Sequence, residues 1–419
     1  MKSAKKLDLT RSLALFEEGQ KLSPGGVLGI RRPYNFVPGE YPIYLARGYG
    51  GHIVDVDGND YIDMLCGYGP IILGYNEPEI NEAVKEQMEK GFCFALVQPA
   101  QNQLEQRLID LIPCAEMVIL VKTGSDATGV AVRLARGYTD RSKILRCGYH
   151  GWHDWCVEIH GGVPEEISKL TIEFEYGDLE QLEALLKEHG DDTAAIIITP
   201  VGHPLAKPVI PPPPGYLEGV RFLADKYGAV LIFDEVRTGF RVAMGGAQQR
   251  YGVTPDLATF GKALGNGYAI SACVGKEEIM EVAKQKVFIS STFFPNSLEM
   301  VAAMKCIDIL EREDVLAKIW NRGESFLAHL KELVAKTGVP ATVSGIPPMP
   351  FITFDKADQH YRDRRVTFYT ETIRRGLFVQ PYHHWYIAYR HTDEDLKRAL
   401  DIIEEALAIV AERYPYNKG

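Results

Sequence analysis

Leu231-Ile232-Phe233-Asp234-Glu235-Val236-Arg237-Thr238-Gly239-Phe240, with Phe260-Gly261-Lys262-Ala263-Leu264-Gly265 downstream, decides how this chain is read. Residues Ala229 to Phe233 form a short apolar run rich in β-branched side chains. Such runs sit in parallel sheets covered on both faces. The run stops at Asp234 and Glu235, and in open α/β sheets ligands bind just past the carboxyl ends of strands. A carboxylate on that rigid stem can meet a cationic group in a dry cleft. Lys262 is flanked by Gly261, Gly265 and Gly267, whose missing side chains let a bulky ligand reach the backbone. A lysine in such a pocket can shed its proton and attack a carbonyl to give a Schiff base. Taken singly, Asp234 also reads as a turn cap and Lys262 as a solvated loop cation. It is the pair that points to chemistry.

A second stretch carries an anion site. Met117 to Val121 reads as a buried strand that runs into Lys122-Thr123-Gly124-Ser125-Asp126-Ala127 and then a helix through Arg136. Strand, glycine turn, hydroxyl and helix N-terminus together present free amides and the positive end of the helix dipole to a ligand. The same residues also cap helices that bind nothing.

With both stretches in hand, Asp234 to Gly267 (DEVRTGFRVAMGGAQQRYGVTPDLATFGKALGNG) resembles the class III aminotransferases, and among them the glutamate-1-semialdehyde aminomutase branch. The likeness runs from about Leu13 to Ala408. It implies an α/β, aspartate-aminotransferase-like fold (fold type I) with a large, mostly parallel sheet. It also implies an N-terminal segment at 1–70, a large cofactor domain at 71–305 and a C-terminal small domain at 306–419. The implied cofactor is pyridoxal 5′-phosphate. Lys262 would hold it covalently, Asp234 would pair with its ring nitrogen, Val236 would pack on one ring face and Tyr149 would stack on the other. Gly124 and Ser125 would cradle the phosphate. Thr292, in Ser290-Ser291-Thr292-Phe293, would reach the phosphate in the other subunit of a homodimer.

The substrate side of the resemblance is looser. Arg31-Arg32 are either solvated or a carboxylate clamp, and the likeness favours Arg32 as a substrate residue. Tyr68, in a glycine-rich loop, and His383 and Trp385, in the aromatic run Gln380 to Tyr386, are the other expected substrate contacts. Two positions depart from the branch, Gly29 in place of its serine and the missing glutamate of a longer segment near residue 380, and Thr199 stands where class III members usually carry a glutamate. These departures favour an aminotransferase acting between an amine donor and a separate carbonyl acceptor, with an amino sugar or a β-amino acid as substrate. An aminomutase, a racemase or epimerase, and a non-catalytic scaffold on the same fold are the alternatives.

Composition bounds the rest. The chain has 419 residues, 46% hydrophobic and 24% charged, with a net charge of −10. That charge disfavours nucleic acid and anionic membranes as partners. No apolar run approaches the roughly 20 residues of a membrane helix. Seven scattered cysteines with no CxxC pair suggest neither a disulfide framework nor a zinc site. His150, His153 and Asp154 match no common metal spacing. A reducing cytoplasm is the expected compartment.

Overall fold

In the computed structural model, residues 2–202 and 208–416 are described. The chain divides into two compact units. One comprises Met1–Glu77, Pro204–Val209 and Ala317–Gly419, and the other Pro78–His203 and Ile210–Leu316.

The first unit begins with helix α1 (Thr10–Leu22). Its spacing suggests Leu13, Phe16 and Gln20 as the inward face. Leu13 is in fact 41% exposed, and the fully buried residue is Ser12. The Ser12 hydroxyl accepts from the amides of Ile43 (2.8 Å) and Tyr44 (3.2 Å), so α1 is anchored by hydrogen bonds to the chain before the first strand. Strands β1 (Leu45–Tyr49), β2 (His52–Asp55) and β3 (Asp60–Asp63) form an antiparallel meander. The Asp57-Gly58 turn lies between β2 and β3, where Gly58 takes φ +93°. Leu377–Phe378 adds in parallel beside β3. A hairpin of Ala341–Ile346 and Met349–Phe354 and the helices Tyr361–Arg374 and Asp393–Arg413 complete the described elements near the C-terminus.

The second unit carries helices α2 (Pro78–Lys90) and α3 (Pro99–Leu111) and one seven-stranded sheet. Its strands are β4 (Met117–Val121), β5 (Lys143–Cys147), β6 (Thr171–Glu173), β7 (Thr193–Ile198), β8 (Val230–Asp234), β9 (Leu257–Phe260) and β10 (Ser271–Gly275), in the order β4-β10-β9-β8-β7-β5-β6. Only β10 runs antiparallel to its neighbours. Every residue of β7, β8, β9 and β10 is buried, which is why they read as unbroken apolar runs rather than alternating ones. Helix α4 (Gly124–Thr139) packs Ala127, Val130, Ala131, Leu134 and Ala135 into the same core as Ile197, Ile232, Leu257 and Cys273. Alanines on that face bring the helix close to the sheet. Each large aliphatic side chain buried there contributes about 1.5–3 kcal/mol. The consequence for function is geometric. The six parallel strands end on one edge, and the loops leaving them carry the chemistry.

Candidate active site

Asp234 is the last residue of β8 and is 6% exposed. Its Oδ1 accepts from the Val236 amide (3.1 Å) and from the hydroxyl of Thr259 (3.3 Å), its neighbour in register on β9. Its Oδ2 lies 2.8 Å from Nδ1 of His150, in the loop after β5. The His150 ring is buried and stacks nearly parallel on Trp155, 6.2 Å between centroids. With Nδ1–H donated to the carboxylate, the histidine fixes the orientation of Asp234. The sequence pointed to Asp234 but gave His150 no partner. The pairing appears only when the ends of β5 and β8 come together across β7.

Lys262 follows β9 in the left-handed region, at φ +45°. That conformation is strained for a lysine and leads it into the short turn Lys262–Gly265. A side chain at Gly261 would come within 2.5 Å of Ser271 Oγ, so the approach to Lys262 requires glycine there. Burial, then the nearby Arg237 and Arg241 guanidiniums, push the Lys262 amine down to about 8, against the opposing pull of Asp234. Both arginines are buried, and Arg237 donates to the Val201 carbonyl at 2.7 Å. At pH 7 about a tenth of this amine is therefore the unprotonated nucleophile, far more than for a free lysine.

That tuning costs stability. The folded amine loses its proton at about 8 and the unfolded one at 10.5. Below pH 8 both states are charged and the full penalty applies. Between the two values the unfolded chain holds one more proton, so stability rises with pH. Lys262→Met in the cofactor-free chain is expected to gain up to about 3 kcal/mol at pH 7. The gain should shrink as pH approaches 10.5, as urea unfolding at pH 7 and pH 10 would register.

The anion site forms where β4 meets α4. Thr123 caps the helix: its hydroxyl accepts from the Asp126 amide (3.2 Å), and the Asp126 carboxylate accepts from the Thr123 amide (2.8 Å) and hydroxyl (2.7 Å). Asp126 is thus engaged in the capping box. Among the described residues the amides of Gly124 and Ser125 have no partner and remain available at the N-terminus of a 16-residue helix. The floor is close: a Cβ on Gly124 would meet Val236 at 2.8 Å, and one on Gly151 would meet Ser125 Oγ at 2.4 Å. Tyr149, 54% exposed, leaves β5 one residue before His150, and Thr292 stands on an exposed turn.

The structure gathers Asp234, Lys262, Val236, Gly124, Ser125 and Tyr149 on loops of one sheet edge within the second unit. An amine poised for a carbonyl, a buried carboxylate and an amide cradle match the aldehyde, the ring nitrogen and the phosphate of pyridoxal phosphate. Thr292 also lies in the second unit, and the expected substrate residues belong to the first. Arg32 donates its Nε to the Val27 carbonyl (3.3 Å). Tyr68 donates its hydroxyl to the Ile30 carbonyl (3.1 Å) and meets the His383 ring edge-on at 5.2 Å. Cys66, Gly67, Tyr68 and Gly69 are four successive left-handed residues, with φ from +49° to +101°, a conformation held against its strain by the surroundings. The Trp385 indole, expected as a substrate contact, is fully buried and fills this unit's core, with its amide donating to the Pro350 carbonyl at 2.9 Å. Apolar character dominated there, and aromatic richness in the sequence did not distinguish wall from core.

Fold and site together define a pyridoxal-phosphate-dependent aminotransferase. The chain belongs to the class-III aminotransferase family, whose model matches residues 36–407. It is 58% identical, over 97% of its length and 99% of the relative's, to the 3-aminobutyryl-CoA aminotransferase of Cloacimonas acidaminovorans (strain Evry). It is 35% identical to the glutamate-1-semialdehyde 2,1-aminomutase of Natranaerobius thermophilus, over 95% of this chain and 98% of that one. Among solved structures, the pyridoxal-phosphate internal-aldimine form of the FumI protein of Sphingopyxis sp. MTA144 superposes with a TM-score of 0.92 at 29% identity, covering 97% of each chain.

Proposed function

We propose that this aminotransferase takes its amino group from a β-amino acyl thioester of coenzyme A, of the 3-aminobutyryl type, and passes it to a keto acid. The observation that carries this is the 58% identity, nearly end to end, to a protein named for that substrate. The departures at Gly29 and the region of residue 380 separate the chain from the aminomutase branch in the same direction. Pyridoxal phosphate, when bound, stores the electron pair left as a C–H bond at the amine-bearing carbon breaks.

The chain's own residues do the remainder. Lys262 would hold the cofactor, and its neutral amine, once free, would take the proton from the substrate's C3. Asp234, oriented by His150, keeps a proton on the ring nitrogen. Gly124 and Ser125 hold the phosphate and so fix the ring, while Val236 and Tyr149 cover its faces. Tyr68, His383 and Arg32 face the substrate in this reading.

The chain works as a homodimer with Thr292 reaching the phosphate bound by its partner. What supports a second copy is exposed apolar surface on the second unit: Phe94 (47%), Leu96 (81%), Val97 (60%), Phe288 (81%) and Phe293 (58%). All seven cysteines are free thiols, six of them buried, which suits a reducing cytoplasm. Among the described residues no helix is long and apolar enough to cross a membrane.

The test is a half-reaction without acceptor. 3-Aminobutyryl-CoA should convert the cofactor spectrum to its amine form and release stoichiometric acetoacetyl-CoA. Conversion by glutamate-1-semialdehyde in its place, with no response to the thioester, would return the chain to the aminomutase reading.

A further inference from the structure

The first unit carries a concentration of positive charge that the catalytic reading leaves unused. Lys356 lies over the Tyr361 ring at 6.0 Å and Arg362 over the same ring at 5.6 Å. Arg362 Nε also donates to the Tyr361 hydroxyl at 2.9 Å. Arg365 lies over the Tyr382 ring at 4.5 Å and donates to its hydroxyl at 3.1 Å. Lys356, Arg362 and Arg365 together pull the Tyr361 phenol below its ordinary value, the Arg362 hydrogen bond most of all.

The acids of the same stretch are engaged elsewhere. Asp358 takes both arms of Arg364 at 2.7 Å, Asp363 pairs with His360 at 3.1 Å and Asp355 accepts from Thr342 at 2.8 Å. Among the described residues no carboxylate pairs with Lys356, Arg362 or Arg365, nor with Arg31 or Arg32. In a chain of net charge −10 such a patch needs a reason.

It also connects to the expected substrate residues of this unit. The Tyr382 amide donates to Gln380 Oε1 (2.8 Å), Gln380 Nε2 donates to the Asn35 carbonyl (2.8 Å), and the Asn35 amide donates to the Arg32 carbonyl (3.0 Å). Two residues before Arg32, the Ile30 carbonyl accepts the Tyr68 hydroxyl. Hydrogen bonds thus link Arg365 to Arg32, and two residues of backbone carry the connection on to Ile30 and Tyr68.

We propose that the surface bearing Lys356, Arg362 and Arg365 binds the phosphorylated nucleotide end of the coenzyme A thioester. This rests on the acyl-CoA reading above. Guanidinium forks match phosphate oxygens. The phenol rings beneath the cations offer flat faces for adenine. The pantetheine arm then follows the path from Tyr382 to Tyr68.

The test compares 3-aminobutyryl-CoA with 3-aminobutyryl-pantetheine, which lacks the nucleotide, on the holoenzyme. The native enzyme should favour the CoA ester at least about tenfold in kcat/KM. Lys356→Gln with Arg362→Gln, both at exposed positions, should lower that ratio about tenfold, and Arg365→Gln should do the same. Binding of free coenzyme A to the holoenzyme, measured by calorimetry, should weaken steeply with salt. A native ratio near one, or a ratio the variants leave in place, overturns the site while the acyl-CoA reading stands. Should both thioesters prove inert, that reading fails, and calorimetry judges the site alone. Coenzyme A binding lost in Lys356→Gln/Arg362→Gln upholds it, and absent or unaltered binding refutes it.

Discussion

Lys262→Ala is expected to cut kcat by at least ~10⁴-fold, because in the mechanism proposed above one residue serves as both the covalent anchor and the mobile base. Lys122, at the end of β4, is held by Glu299 at 3.1 Å and by the Asn296 carbonyl at 3.3 Å. Borohydride treatment of the native enzyme should fix the cofactor on the peptide containing Lys262, and the variant should yield no such adduct. Small primary amines in the buffer should restore part of the activity by entering the space the side chain vacates. Full activity in Lys262→Ala, or an adduct on another lysine, would remove the basis of the assignment.

Asp234→Asn should lower the rate of the half-reaction by about 10²–10⁴-fold while leaving the fold intact. The asparagine oxygen can still accept from the Val236 amide, but in the proposed pairing it sets no negative charge against the ring nitrogen. A buried cation that loses its only counter-charge is typically destabilised by about 3–5 kcal/mol, so the ring proton is lost and the electron sink weakens. His150→Asn should act in the same direction by about tenfold, since it alters only the orientation of Asp234. Stopped-flow spectra at saturating amine separate the two, provided cofactor content is matched. Equal losses in the two variants would mean that His150 itself meets the cofactor.

Much of this was legible from residues alone because it is local. β8 stops at a carboxylate, β9 stops at Gly261-Lys262, and Thr123 to Asp126 spells a helix cap. Each follows from hydrophobic runs and capping chemistry over a few positions. What stayed hidden depends on distant segments meeting. The His150–Asp234 pair joins two strand ends, and Arg237 and Arg241 tune Lys262 across the edge of the sheet. The helix Tyr361–Arg374 begins well before Val366, its first aliphatic residue. Its first turn, Tyr361-Arg362-Asp363-Arg364, lacks apolar periodicity and is held by tertiary pairings such as Arg364 with Asp358. Met88, periodic with Ile80 and Val84, is 55% exposed because α2 buries only the first two of the three.

The single antiparallel strand has a consequence for synthesis. β4, which leads into the amide cradle, hydrogen-bonds within the sheet only to β10, and β10 is the last of the seven strands in the chain. On the ribosome the cradle strand therefore waits, without a neighbour along its edge, until residues 271–275 have left the exit tunnel. If the cradle holds the cofactor phosphate as proposed, vitamin capture waits for the same residues, and a truncated product ending before residue 271 would carry the cradle strand unpaired.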